Sequence, residues 1–155
     1  MSKVEIGKKV PDFNATATGG ENINLSNLKG NNVVLYFYPK DDTPGCTIEG
    51  QNFRDDFRKF SSRKTIILGV SRDSLKSHEK FKTTQKFPFE LLSDEDENLC
   101  ALFDVIKEKN MYGKKVMGIE RSTFLIDSKG ILRKEWRKVK IDGHVEEVLE
   151  AVKII

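Results

Sequence analysis

Val33-Val34-Leu35-Tyr36-Phe37-Tyr38-Pro39-Lys40-Asp41-Asp42-Thr43-Pro44-Gly45-Cys46-Thr47-Ile48-Glu49 joins two different patterns through a short polar loop. The unbroken apolar and aromatic run 33–38 reads as a strand buried on both faces. From Thr47 to Phe60 apolar and charged residues recur at helical spacing, with Ile48, Phe53, Phe57 and Phe60 as candidate core positions. Thr43 suits a helix N-cap and Pro44 the first helical residue, which needs no N–H. Cys46 then falls on the third helical position, where a capping box would carry Glu.

That placement makes Cys46 a candidate thiolate. The free first-turn amides and the helix dipole favour a negative sulfur. The Thr43 hydroxyl is expected to donate to it, and Gly45 to let the backbone approach whatever the sulfur attacks. Arg121 heads the apolar run Ser122-Thr123-Phe124-Leu125-Ile126-Asp127, so sheet packing can bring its fork of donors to the helix start. Glu49, one turn beyond Cys46, is expected to orient that arginine. An unpaired cysteine more commonly packs as a small hydrophobe, but a core-filling cysteine has no use for a cap, an N1 proline and a close-approach glycine.

Outward from this stretch the pattern stays regular. Phe13–Ala17 and Ile23–Leu25 alternate about Gly19-Gly20 and predict a hairpin, followed by a helical turn over Ser26–Lys29 stopped at Gly30. Thr65–Ser71 is a second buried strand, and a helix is expected from Ser74 to about Lys86. Phe89–Leu92 reads as a short strand and Asp94–Phe103 as a helix with an acidic start. Ser122–Asp127 is a buried strand, Ser128-Lys129-Gly130 a turn, Ile131–Val139 an alternating strand with one wet face, and Gly143–Val152 a closing helix. Buried strands alternating with helices imply an α/β fold with a partly parallel sheet covered by helices. The order, with its N-terminal hairpin, matches an elaborated thioredoxin-like fold. No repeat or linker divides the chain, so one domain over 1–155 is expected.

Composition narrows the function. The chain has 155 residues, 27 basic against 24 acidic, for a net charge of +3, which does not call for nucleic acid or an anionic membrane as partner. Its 2 cysteines, Cys46 and Cys100, form no Cys-x-x-Cys and are too few for a disulfide-stapled secreted domain. The opening Met1–Pro11 lacks a signal-peptide core, and no window approaches the roughly 20 apolar residues of a membrane span. The chain therefore reads as soluble and cytoplasmic.

Tyr36–Glu49 resembles the active-site signature of the peroxiredoxins, Pro-x-x-x-Thr-x-x-Cys, in the form found in the bacterioferritin comigratory protein or peroxiredoxin Q group. Lys9–Phe13, Gly69–Ser71, Ser77-His78 with Lys80-Phe81, Phe87–Asp94 and Gly118–Asp127 extend the likeness over nearly the whole chain. The resemblance implies that Cys46 is the peroxidatic cysteine, with Pro39, Thr43 and Arg121 completing the site. It implies hydrogen peroxide and organic hydroperoxides as substrates, thioredoxin or another thiol as reductant, no metal or organic cofactor, and a monomer. The pattern departs at the second cysteine that many members carry, where this chain has Gln51; the alternative position, near Lys82, has none either. Cys100 or an external thiol must then resolve oxidised Cys46. Cys100 lies in an apolar helical cluster, so a one-cysteine cycle is expected.

The remaining features have plainer readings. His78 and His144 lack partners at metal-ligand spacing and are read as surface or capping residues. Arg133–Lys140 is read as an edge strand protected by lysines, and Lys107–Lys115 as an exposed loop. A thioredoxin-type oxidoreductase would need a second cysteine where Thr43 stands. A peroxide sensor or holdase using the same Cys46 stays open as the other reading.

Overall fold

The computed structural model describes residues 3–155. Its strands are β1 (Asn14–Ala17), β2 (Glu21–Asn24), β3 (Asn32–Phe37), β4 (Thr65–Ser71), β5 (Glu90–Ser93), β6 (Ile106–Met111), β7 (Lys114–Ile119), β8 (Ser122–Ile126) and β9 (Leu132–Trp136). The helices are α1 (Pro44–Asp55), α2 (Phe57–Ser61), α3 (Leu75–Gln85), α4 (Asn98–Phe103) and α5 (His144–Lys153), and short 3-10 turns lie at Thr18–Gly20 and Leu25–Leu28. Seven strands form one mixed sheet in the order β2-β1-β5-β4-β3-β8-β9. β3 runs parallel to β4 and β4 to β5, while β8 lies antiparallel to β3. The α/β, thioredoxin-like expectation with an N-terminal hairpin is what the chain adopts.

The sheet separates two cores because successive strand residues point to opposite faces. Val33, Leu35 and Phe37 of β3 face a cluster that includes Leu99, Cys100, Phe103 and Phe124. Val34, Tyr36 and the following Tyr38 face the other, with Cys46, Phe53, Phe60, Phe81 and Val148. Tyr36 stacks on Phe53 at 4.6 Å between ring centroids, pinning α1 to β3. Each such ring contributes about 1.5–3 kcal/mol by leaving water, and Phe53→Ala is expected to cost about 3–5 kcal/mol.

Several boundaries differ from those read in the sequence. The helix expected over Thr47–Phe60 starts at Pro44 and breaks at Asp56, whose φ of −101° and ψ of 8° leave the helical region. Cys46, Glu49, Gly50 and Phe53 form the buried stripe of α1. Ile48 points away from that stripe and is half exposed rather than in the core. Phe57 is partly buried at the edge of the same cluster as Phe60.

The helix expected from Asp94 begins only at Asn98. Asp94 instead caps it from outside, Oδ1 accepting from the Leu99 amide at 3.0 Å and Oδ2 from the Cys100 amide at 2.8 Å. Lys107–Lys115 is not a loop but most of a β6–β7 hairpin, closed by Tyr112 and Gly113, both at positive φ. Its strands bury too little to show an apolar alternation. His78 and His144 are buried, not at the surface.

Candidate functional site

Register brings the two halves of the site together. Phe37, the last residue of β3, pairs with Ser122, the first of β8. Arg121 therefore lies beside the point where β3 gives way to the loop 38–43 and the start of α1. Arg121 Nη2 donates to Cys46 Sγ at 3.4 Å, and Nη1 donates to Glu49 Oε1 at 2.7 Å. Cys46 is 2% exposed and Glu49 wholly buried.

Gly45 also makes room for Arg121. A Cβ there would stand 3.3 Å from Arg121 Nη2 and 3.1 Å from Ile141 Cδ1. The glycine leaves room for the guanidinium to reach the sulfur.

Thr43 occupies the N-cap position, with φ −99° and ψ 154°, but its side chain caps nothing. Its hydroxyl donates to the Lys40 carbonyl at 2.8 Å. The one hydroxyl proton being committed there, Thr43 cannot also donate to the sulfur as the sequence suggested. What it presents elsewhere is an acceptor. The first-turn amides, Gly45 and Cys46 among them, have no intrahelical carbonyl to bond and are left for an anion at the helix start. Pro39 is half-buried just past the end of β3 and begins the loop.

The electrostatics centre on Glu49 and Arg121. Burial raises the Glu49 carboxyl to about 7, with Arg121 pulling it back down. Burial works against the Arg121 charge, but Glu49 and then Cys46 hold its guanidinium above the ordinary value. Glu49 Oε2 is buried with no hydrogen-bond partner, so Arg121 satisfies only one carboxylate oxygen. The Tyr36 phenol is pushed well up by burial, then by Glu49 and Cys46, and stays neutral beneath the site.

The structure does not bring Cys100 to Cys46. Cys100 belongs to the cluster on the other face of the sheet. Its thiol is pushed far up by burial and by a hydrogen bond to Asp94, the opposite of what a nucleophile needs. Gln51 donates to Gln85 Oε1 at 2.9 Å, and Arg54 Nη1 to the Gln85 carbonyl at 2.9 Å, tying α1 to α3.

Two features escaped the sequence. Lys109, on β6, folds over Gly118 and donates to the Ile119 carbonyl, close enough to feel both Arg121 and Cys46. Burial, with Arg121 nearby, holds its ammonium below the usual lysine range. The second is a buried network behind the loop. Tyr38 Oη donates to Asp41 Oδ1 at 2.6 Å, while Asp41 Oδ2 meets Ser77 Oγ and His78 Nδ1, each at 2.7 Å. Among the described residues Asp41, Asp73 and His78 hold ligand atoms within 4.8 Å of one another. Both His78 nitrogens are already engaged, Nε2 with the Leu92 carbonyl at 2.8 Å, so the group is a closed hydrogen-bond network and not an open metal cradle.

A cysteine at an uncapped helix start, met by an arginine from the neighbouring strand, can attack an electrophile and stabilise charge on what leaves. Comparison with known proteins agrees: the model of the AhpC/TSA family matches residues 6–135.

The chain belongs to the AhpC/TSA family.

It is 52% identical over 150 residues to the peroxiredoxin Bcp of Bacillus subtilis, covering 97% of this chain and 96% of that one. It is 54% identical over 142 residues to the peroxiredoxin Bcp of Xanthomonas campestris, covering 92% and 89%. Among solved structures, the fold superposes on Xanthomonas campestris peroxiredoxin Q with a TM-score of 0.90 at 51% identity, over 97% and 96% of the chains. The bacterioferritin comigratory protein of Xanthomonas campestris, whose alkyl peroxide reduction has been examined structurally, superposes with a TM-score of 0.90 at 49% identity, over 99% and 98%. No helix among the described residues is long and apolar enough to cross a membrane.

Proposed function

We propose that this family member is a thiol peroxidase reducing hydrogen peroxide and organic hydroperoxides through Cys46. The observation that carries the reading is the Arg121 Nη2 contact to Cys46 Sγ at 3.4 Å, at a helix start left uncapped because Thr43 turns to Lys40. The Cys46 thiolate attacks the terminal oxygen of the hydroperoxide in line with the O–O bond. The S–O bond forms as O–O breaks, Cys46 becomes a sulfenic acid, and the departing alkoxide or hydroxide takes a proton from water. Thr43 accepts a hydrogen bond from the hydroperoxide O–H. Arg121 and the first-turn amides meet the charge that develops on oxygen. Glu49 holds the Arg121 fork, and Pro39 shields the sulfur from bulk water.

The sulfenic acid then condenses with an external thiol, thioredoxin or another, releasing water, and a second thiol frees Cys46 from the mixed disulfide. The placement of Cys100 behind the sheet supports this one-cysteine cycle. Stopped-flow oxidation by hydrogen peroxide and by an alkyl hydroperoxide, with Cys46→Ser as control, tests the first half. A rate no faster than that of free cysteine thiolate would sink the peroxidase reading. Steady turnover with thioredoxin or a small thiol then distinguishes an enzyme from a sensor that oxidises once.

A further inference from the structure

We infer that Asp73 is a positioning residue for Thr43, acting through the Lys40–Asp41 peptide plane, with the Asp41–His78 pair as that loop's second anchor. The inference rests on the reading of Thr43 as the group that accepts from the hydroperoxide. A trans peptide is planar, so its C=O and N–H turn as one unit. The carbonyl of this peptide is the Lys40 oxygen that takes the Thr43 hydroxyl proton at 2.8 Å. Its N–H is that of Asp41, which donates to Asp73 Oδ2 at 2.9 Å. Asp73 thus holds one end of the plane whose other end decides where the Thr43 proton lies.

Asp73 is itself fixed. Ser71 Oγ donates to its Oδ2, its own amide donates back to Ser71 Oγ at 3.1 Å, and its carbonyl accepts from Ser93 Oγ at 2.7 Å. The Asp41 side chain is tied to the residue that follows β3, to α3 and to β5 in turn. Tyr38 and Ser77 donate to it, and His78 joins it to the Leu92 carbonyl. A carbonyl only accepts, so Nε2 of His78 carries a proton and donates it to Leu92. His78 is wholly buried and Asp41 nearly so. The next residue, Asp42, sits at φ 60°, a conformation that persists in a non-glycine residue when its surroundings hold it.

The consequence concerns what Thr43 is kept from doing. A threonine at an N-cap ordinarily turns its oxygen to the first-turn amides. Here the fixed Lys40 carbonyl draws the hydroxyl proton away, leaving those amides open and the Thr43 oxygen able to accept. Freed from Asp73, the peptide can rotate, and the hydroxyl is expected to fall back into an ordinary cap.

The test compares two reactions of Cys46. Oxidation by hydrogen peroxide uses Thr43, whereas alkylation by iodoacetamide, run at alkaline pH where the sulfur is ionised with or without the amides, reports only its access. In Asp73→Ala the peroxide rate constant is expected to fall at least about tenfold, a factor one hydrogen bond can supply, with alkylation held within about twofold. Asp73→Asn, which keeps an acceptor oxygen, is expected to recover most of the loss. In a Thr43→Val background Asp73→Ala should cost less than about twofold more, because the two changes break one chain of contacts. A Thr43→Val protein with full peroxide rate refutes the reading of Thr43 itself. A slow Thr43→Val protein combined with multiplicative losses, or equal losses in both assays, overturns the role of Asp73. Should Asp73→Ala not fold, Ser71→Ala removes the hydroxyl that donates to the Asp73 carboxylate and accepts from its amide, while keeping the carboxylate itself. It is expected to show the same pattern at about threefold, and equal effects on both reactions count against the proposal.

Discussion

Cys46 and Cys100 lie on opposite faces of the central sheet, one in the cluster over Val34, Tyr36 and Tyr38, the other in the cluster over Val33, Leu35 and Phe37. A disulfide needs Cα atoms within about 7 Å and converging Cβ directions, and a packed β-strand between the sulfurs denies both. Peroxide treatment is expected to leave no internal Cys46–Cys100 disulfide by non-reducing mass spectrometry. Cys100→Ser, whose hydroxyl can still reach Asp94, should turn over within about twofold of the parent, as substitutions away from the chemistry do. An internal disulfide, or loss of turnover in a folded Cys100→Ser protein, contradicts the one-cysteine cycle.

Arg121→Ala removes the donor at 3.4 Å from the sulfur and the partner of buried Glu49 together. Peroxide oxidation is expected to slow by about 10²–10³, the scale of losing one transition-state donor. Without Arg121 the Glu49 carboxyl rises further, so the variant should become progressively less stable as pH increases through neutrality. Chemical denaturation of parent and variant across that range measures it; a pH-independent gap argues against Glu49 as the cause.

In the parent protein Glu49 has a defined pH window. Its carboxyl stands at about 7 in the folded chain against an ordinary 4.5, so between those values the folded state holds the extra proton. The stability from this group is complete below 4.5 and lost as pH rises through 7, on the order of 3 kcal/mol over the full swing. Glu49→Gln carries no such dependence. Relative to the parent its melting temperature should improve as pH rises from 5 to 8, and a constant difference would refute the assignment.

His144 works in the opposite sense. Burial lowers it to about 4 from 6.5, and its Nε2 lies 2.8 Å from Thr123 Oγ1. The unfolded chain binds the proton first, so stability falls as pH drops from 6.5 to 4, again by on the order of 3 kcal/mol. This window overlaps that of Glu49, and the two slopes partly cancel in the parent. Glu49→Gln should therefore expose a steeper loss toward acid than the parent shows, and His144→Gln a shallower one. Acid titration of stability in both variants checks the pair.

Two glycines of α1 separate activity from stability. A Cβ on Gly50 would come within 2.3 Å of the Phe87 ring, so Gly50→Ala is expected to cost about 1–3 kcal/mol by overpacking. At Gly45 the neighbours are Arg121 Nη2 and Ile141 at 3.3 and 3.1 Å. Gly45→Ala should shift the guanidinium and slow peroxide oxidation by about tenfold while leaving thermal stability within a few degrees. Thermal unfolding alongside stopped-flow kinetics tests both, and an unchanged oxidation rate in Gly45→Ala would show that Arg121 has room to spare.

The local signals that determined the strand at Val33, the helix start at Pro44 and the position of Cys46 are covalent and short-range. Apolar runs, an N1 proline and a threonine act within a few residues, and all three are legible in the chain. Arg121 was legible too, because a residue heading a buried strand lands where the sheet puts it. What tertiary structure decided were matters of direction and partnership. Whether the Thr43 hydroxyl faces the helix or Lys40 depends on a peptide held by Asp73, just past the end of β4 and distant in sequence. His78 reads as a surface histidine until α3 packs its ring between Asp41 and the Leu92 carbonyl. Lys109 looks like part of a charged loop until antiparallel pairing with β7 turns it toward Arg121. The same sheet that unites Cys46 with Arg121 separates it from Cys100, because adjacent residues of β3 face opposite ways and only the folded sheet gives those faces different neighbours.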